Sequence, residues 1–397
     1  MFWIGAAALI AAAIALPLAI IALTRSGGDN ATGSAGATSA MGSSAMSAMS
    51  EHMAAAPMEG VLDATVAQGA QPLAHTVDNG VWVYRLEAKP VRWPILPATR
   101  VTAWTYNGTV PGPEIRVPYG QRLRVVVRNS LPEPTAVHWH GIAVPNSMDG
   151  VPGVTQKAIE PGKSFTYEFR AIPAGRDSKG GTFFYHSHYD EDRQVGLGLS
   201  APLVIVPPKK ARYDVERTVL LGEWNLDART GATRPPMDME GLLPNYFTIN
   251  GKSYPATQPV NVKRGQRVLL RLIGGGQFTH PMHLHGTDFT VVAKDGHPLA
   301  QPYAADTINV APGERYDLVF TASEPGTWVF HCHIGHHLTN NGESPGGLLM
   351  AVNVGMKATK SVPGSSSGGN GATQSMSDST STGSGDMSDM PGMTHSP

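Results

Sequence analysis

The sequence predicts an all-β protein built from two tandem β-sandwich domains, with an apolar helix at the N-terminus and low-complexity ends. Three observations carry that prediction. Charged residues make up only 15% of the chain, which holds 45 Gly and 32 Pro, a strand-and-turn composition rather than that of a helical bundle. Short alternating runs such as Arg122–Val127 and Ser164–Phe169 are bounded by Pro-Gly and Asn-Gly turns, as in half-buried strands. The chain also repeats itself about 145 residues on, so one domain is present twice.

The elements follow in order. Residues 1–24 begin with a run, Met1–Leu23, that is almost wholly apolar. As a helix it would measure about 35 Å, enough to cross a bilayer. It reads as a transmembrane anchor or a signal segment. No Lys or Arg precedes it and no small-x-small site closes it, which favours a retained anchor over cleavage. Arg25 follows the run, so the positive-inside rule does not favour export of the rest. The expectation of an exported, extracytoplasmic protein, attached to the membrane through this segment or secreted after its removal, rests on the chemistry of the later motifs.

Residues 25–71 form a Met-rich linker of Ala, Gly and Ser, and residues 356–397 a tail of the same composition. Neither has the apolar content to offset chain entropy, so both are expected to be disordered. Ten of the 16 Met fall in these ends: Met41, Met46, Met49, Met53, Met58, Met356, Met376, Met387, Met390 and Met393. Thioethers are soft ligands for Cu(I), but a neutral linker also tolerates Met.

Between the ends, residues 72–208 make the first domain and 211–355 the second. Tyr119–Arg128 matches Arg264–Arg271. His138-Trp-His-Gly141 matches His283-Leu-His-Gly286, and Gly181–His188 matches Gly326–His333, both 145 residues on. Pro161–Phe169 matches Pro312–Phe320 in the same order. The formal charge of −1 comes without a basic stripe, so no nucleic-acid partner is expected. A single cysteine excludes an internal disulfide framework and thiol-rich zinc sites.

Ten of the 15 His sit in four clusters: His138/His140, His186/His188, His280/His283/His285 and His331/His333/His337. A lone histidine is ordinarily structural, but four clusters at matching repeat positions are not explained that way. Strand alternation sends His331 and His333 to one face and Cys332 to the other. Ser187 stands where Cys332 does in the repeat, so a thiolate site exists in the second domain alone. Two imidazoles, one thiolate and a weak axial group are the donor set of a blue-copper centre. Zinc sites close with four ligands, which leaves eight further histidines unaccounted for.

Together, His138-Trp-His-Gly, His186-Ser-His, His280-Pro-Met-His-Leu-His-Gly and His331-Cys-His-x₃-His resemble the motifs of the multicopper oxidases in their two-domain, laccase-like form. The resemblance covers both domains and implies two cupredoxin-like Greek-key sandwiches. It implies copper as cofactor, four ions per functional unit: one type 1, one type 2 and two type 3. Type 1 copper would be held by His280, Cys332 and His337, and type 2 by His138 and His283. One type 3 ion would take His140, His186 and His333, the other His188, His285 and His331. Leu348 falls at the axial position, with Met350 the rival two residues on. Asp149 stands where the family places an acidic residue near type 2 copper and is the candidate proton donor or water orienter, although Asp149-Gly150 is itself a turn signal. Asp190, Glu191 and Asp192 after His188 read as a solvated loop, His336 as an exposed neighbour of the type 1 set, and Asp306 and Asp317 as structural or as partners of the ligand residues.

The implied reaction is one-electron oxidation of phenolic or aromatic donors coupled to four-electron reduction of O₂ to water. The resemblance also implies a homotrimer in which the first domain of one subunit meets the second domain of the next. Three alternatives stand beside it. A cuprous oxidase in copper tolerance has support from the Met-rich ends and Met237-Asp-Met239. A copper nitrite reductase is opposed by Ser187 and by the complete His-Cys-His motif of the second domain. A non-catalytic copper-binding or storage protein would bind the metal without consuming O₂.

Overall fold

The computed structural model describes residues 54–175, 178–209, 211–227, 229–236 and 243–355. The expectations for the apolar segment 1–24, for the Met-rich linker before residue 54, for Met237 and Met239 and for the tail 356–397 lie outside the described residues. Among the described residues, no helix is long and apolar enough to cross a membrane.

The first half contains β1 (Thr76–Asp78), β2 (Val81–Pro94), β3 (Arg100–Tyr106), β4 (Ile115–Pro118), β5 (Arg122–Asn129), β6 (His138–His140), β7 (Ser164–Arg170), β8 (Gly181–His186), the short helix α1 (Glu191–Gly196) and β9 (Ser200–Val206). The second half contains β10 (Val215–Leu226), β11 (Thr233–Arg234), β12 (Tyr246–Ile249), β13 (Val260–Val262), β14 (Arg267–Gly274), β15 (His280–Leu284), β16 (Phe289–Lys294), β17 (His297–Ala305), β18 (Thr307–Val310), β19 (Arg315–Thr321), β20 (Gly326–Cys332) and β21 (Leu349–Val354).

Each half is a sandwich of two sheets. The first pairs a sheet ordered β1-β2-β5-β7, with β3 on β2, against one ordered β4-β9-β8-β6. The second pairs β11-β10-β14-β19-β16-β17, with β12 on β10, against β13-β21-β20-β15-β18. The sequence repeat reappears as repeated pairing. The parallel pair β2/β5 corresponds to β10/β14, and β4/β9 to β13/β21. The antiparallel pair β6/β8 corresponds to β15/β20. This is the all-β, cupredoxin-like architecture.

The two copies differ where they meet. β5 reads Arg-Leu-Arg-Val-Val-Val-Arg-Asn: Leu123, Val125 and Val127 enter the first core, and the arginines face outward. Its counterpart β14 reads Arg-Val-Leu-Leu-Arg-Leu-Ile-Gly and is buried on both faces after its first residue. Val268, Leu270 and Leu272 enter the second core. Leu269, Arg271 and Ile273 face the other way, where β8 of the first sandwich covers Arg271 and Ile273. There Phe184 packs with Leu220 and Ile273, Thr182 donates to Asp317, and Arg271 donates to Thr182 at 3.0 Å and to Asp317 at 2.8 Å. A further apolar seam joins Trp93, Ile95 and Val110 to Trp224, Leu226 and Tyr246. The four sheets therefore stack in one order, with the β8 sheet of the first sandwich against the β14 sheet of the second.

Residues 55–71, expected to belong to a disordered linker, run along the sandwiches. Ala56 is buried, Ala56 N–H donates to Thr233, Ala64 N–H to Arg92 and Ala70 N–H to Pro111. Backbone bonding to strand edges orders this stretch despite its poor apolar content.

Candidate metal centres

Alternation on β20 builds the first centre. Phe330 and Cys332 point into the second core, and His331 points out of it. Opposite Cys332 on β15 lies Met282, so His280, two residues earlier, shares the inward face. A 3₁₀ turn at Gly335–Leu338 brings His337 back to the same spot. All three donors are buried, and their ligand atoms lie within 4.8 Å of one another. His280 Nδ1 is 3.1 Å from His337 Nδ1, and Cys332 Sγ is 3.4 Å from His337 Nδ1 and 4.0 Å from His280 Nδ1. Burial holds His337 neutral by lowering its pKa to about 3, and pushes the Cys332 thiol up to about 11. The imidazole thus offers a lone pair at neutral pH, whereas the thiol gives up its proton only to a metal.

Leu348 is buried and bonded through its backbone to two of the three donor residues. Its N–H donates to the His337 carbonyl at 2.9 Å, and its own carbonyl accepts from Cys332 N–H at 3.0 Å. Met350 lies opposite Phe330, one inward position further along the strand.

The second centre is on the outward face of the β8 sheet. His138 pairs across the strands with His186, and His140 with Phe184. His138 Nδ1 donates to the Asp149 carbonyl at 2.7 Å and His186 Nδ1 to the Ser187 carbonyl at 2.8 Å, so each leaves Nε2 with a free lone pair. His140 is turned the other way, with Nδ1 3.3 Å from His186 Nε2 and its ring stacked on Phe184. Burial lowers both His140 and His186 to about 3. The His188 ring lies 5.4 Å from that of His138. Asp149 Oδ1 is 3.5 Å from His138 Nδ1, beside the group it was expected to serve.

The third centre repeats the second on the outward face of the β20 sheet. His283 pairs across the strands with His331. His283 Nδ1 donates to the Asp306 carbonyl at 2.9 Å and His331 Nδ1 to the Cys332 carbonyl at 2.8 Å. His285 Nε2 and His331 Nε2 are 2.9 Å apart, and the His333 ring is 5.7 Å from that of His283. Burial lowers His285 and His331 below the ordinary histidine range.

Among the described residues, no hydrogen bond or ring contact joins the second centre to the third. The sheet order explains why. The second centre lies on the side of the second sandwich that faces β8, and the third lies on its opposite side, with packed sheets on the order of 10 Å apart between them.

Two carboxylates escaped the sequence reading. Glu191, placed in a solvated loop, sits at the start of α1 with its oxygens 3.4 Å from His186 Nδ1 and 3.6 Å from His188 Nε2. Glu223 on β10 accepts from His280 Nε2 at 2.5 Å. Its signal was present: Val219, Leu221 and Glu223 share one phase of an apolar strand, so Glu223 is a carboxylate on a core-facing position.

The donor sets fit copper. A thiolate with two imidazoles is a soft, borderline set, and among the remaining imidazoles those of His138, His140 and His186, and those of His283, His285 and His331, bring ligand atoms within 4.8 Å of one another. Models of the multicopper oxidase family match residues 87–210 and 228–342. Laccase-1 of Botryotinia fuckeliana is 39% identical over 55% of this chain and 39% of its own length. The chain thus spans about two-fifths of the length of that relative. The blue copper oxidase of Nitrosomonas europaea superposes with a TM-score of 0.63 at 34% identity, covering 68% of this chain and 85% of that one. The multicopper oxidase mgLAC gives 0.64 at 36% identity, covering 70% and 87%. With both sandwiches matched, and the thiolate centre and two imidazole clusters in place, this chain belongs to the multicopper oxidase family.

Proposed function

We propose that the protein is a laccase-like oxidase coupling one-electron oxidation of phenolic or aromatic donors to four-electron reduction of O₂ to water. The observation that carries this reading is the segment His331-Cys332-His333 at the end of β20. It places a buried thiol in one donor set and, through its two peptide neighbours, imidazoles on the other side of the sheet. Copper, which the family carries as four ions, supplies the electron transfer and the oxygen chemistry.

His280, Cys332 and His337 are the type 1 donors, with Leu348 at the axial position. His138 and His283 are the type 2 donors. His140, His186 and His333 serve one type 3 ion, and His188, His285 and His331 the other. The carbonyls of Asp149, Ser187, Asp306 and Cys332 fix the tautomers of their histidines, so these rings are pre-set to bind through Nε2. Asp149 holds an acid group beside His138, placed to hand protons to oxygen as it is reduced.

The second and third centres each hold half of the eight imidazoles and lie on opposite sides of the second sandwich in one chain. A homotrimer, with the second centre of one subunit set against the third centre of the next, would complete the cluster. The copper and oxygen chemistry read from the histidine and cysteine motifs, and not the N-terminal segment, supports a place outside the cytoplasm.

The test is one copper-loaded preparation examined by metal quantification, visible and EPR spectra, and an oxygen electrode. Blue absorption with O₂ uptake on a phenolic donor is the expected result. Uptake driven by Cu(I) but not by phenols would replace the reading with a cuprous oxidase. Copper binding without uptake would leave a storage protein.

A further inference from the structure

Glu223 is a buried carboxylate that the oxidase reading leaves without a task. Its side chain is 0% exposed, and among the described residues no Lys or Arg forms an ion pair with it. A charge in that position is costly unless something answers it. Its partners are the Nε2–H of His280 at 2.5 Å and the backbone N–H of Gln277 at 3.0 Å.

The chain leaves room for this carboxylate. Gly274-Gly275-Gly276 passes beside it, and a Cβ on Gly276 would lie 1.9 Å from one Glu223 oxygen and 2.6 Å from the other. Only glycine at 276 lets the loop approach closely enough for Gln277 to donate. The same loop leads within four residues to His280.

We propose that Glu223 is the positioning residue of the Cys332 centre: it accepts the Nε2–H of His280, holds the Nδ1 lone pair on Cys332 and His337, and its negative charge lowers the reduction potential of the bound copper. The tautomer argument is chemical. A ring that donates from Nε2 has its lone pair on Nδ1, and Nδ1 is the atom that faces the other two donors. The potential argument is electrostatic. A negative charge in a dry pocket against a ligand favours the more positive, oxidised metal. Glu223 thereby opposes Leu348, whose non-ligating side chain raises the potential. This inference rests on the type 1 assignment above.

The experiment is a redox titration of the blue band in the copper-loaded full chain and in Glu223→Gln, Glu223→Asp and Gly276→Ala. Glu223→Gln keeps the shape and removes the charge. It should stay blue and shift the one-electron equilibrium with a mediator at least tenfold toward reduced protein, an upward move of about 59 mV. Glu223→Asp keeps the charge and should shift less. Gly276→Ala leaves both His280 and Glu223 in the sequence but pushes the carboxylate aside, and should shift in the same direction as Gln. A blue Glu223→Gln variant that titrates with the wild type overturns the proposal. If Glu223→Gln does not fold, Gly276→Ala decides the matter: a wild-type potential overturns the proposal and a raised one supports it. A wild type that binds copper without blue absorption overturns the type 1 assignment itself, and this inference with it.

Discussion

Cys332 carries a sulfur into one centre and, through the peptide bonds on either side, two imidazoles toward another. Replacing that sulfur by oxygen leaves the strand almost unchanged in volume but removes the soft donor. Cys332→Ser should therefore abolish the blue absorption and oxygen uptake while a type 2 EPR signal remains. If Cys332→Ser stayed blue, the type 1 copper would have to lie elsewhere. Leu348 is the second residue whose chemistry can be read alone. Its two backbone hydrogen bonds lock it between Cys332 and His337, whereas Met350 is opposite Phe330. Leu348→Met exchanges similar volumes, at a cost below about 1.5 kcal/mol, and brings a thioether to the centre. It should lower the potential of the blue band. A shift in Met350→Leu, with none in Leu348→Met, would give the axial position to Met350.

At the scale of the element, the loop between β6 and β7 sets the His138 ring. Gly150 has φ +88°, and a Cβ there would lie 2.0 Å from the Val137 carbonyl oxygen and 2.9 Å from His138 N. An alanine must push the loop away from β6 and take with it the Asp149 carbonyl that fixes His138. Gly150→Ala should cost roughly 1–3 kcal/mol through its backbone conformation and should weaken or broaden the type 2 EPR signal. The blue band should persist, because its donors lie in the other sandwich. An unchanged EPR signal and melting temperature would show that the loop does not orient His138.

Elements are also where the sequence is most legible. Period-two alternation alone places Cys332 and His331 on opposite faces, and the repeat alone predicts that His138–His186 and His283–His331 occupy matching pairs. The outward phase of β14, with Leu269 and Ile273 where β5 has Arg124 and Arg128, distinguishes a covered sheet from an exposed one. What the sequence does not show depends on long-range approach. Glu223 meets His280 across 57 residues, and Glu191 meets His186 only because the chain turns at Asp190, which has φ +46°. The separation of the two imidazole clusters depends on which sheet packs against which, and local pattern carries no record of that.

On the scale of the whole molecule, the clusters on either side of the second sandwich make a testable demand on assembly. A contact between unlike surfaces of identical copies is head-to-tail, and it closes into a ring only if the rotation between copies permits. In such a ring each functional cluster draws four imidazoles from each of two neighbouring chains. Two individually inactive variants should then complement one another. His186→Ala damages the cluster of the first sandwich, and His285→Ala damages that of the second. Neither touches His280, Cys332 or His337, so both should stay blue. Dissociated, mixed in equal amounts and reassembled with copper, random rings place an intact first sandwich against an intact second sandwich at about a quarter of the interfaces. Oxygen uptake should recover to about that fraction of wild type, and mass measurement should show the mixed ring. If both variants are inactive alone, form mixed assemblies and regain no uptake, the eight imidazoles must be assembled within one chain. That outcome would require the two sandwiches to part from the packing of Thr182, Phe184 and Arg271 that now holds the clusters on opposite sides.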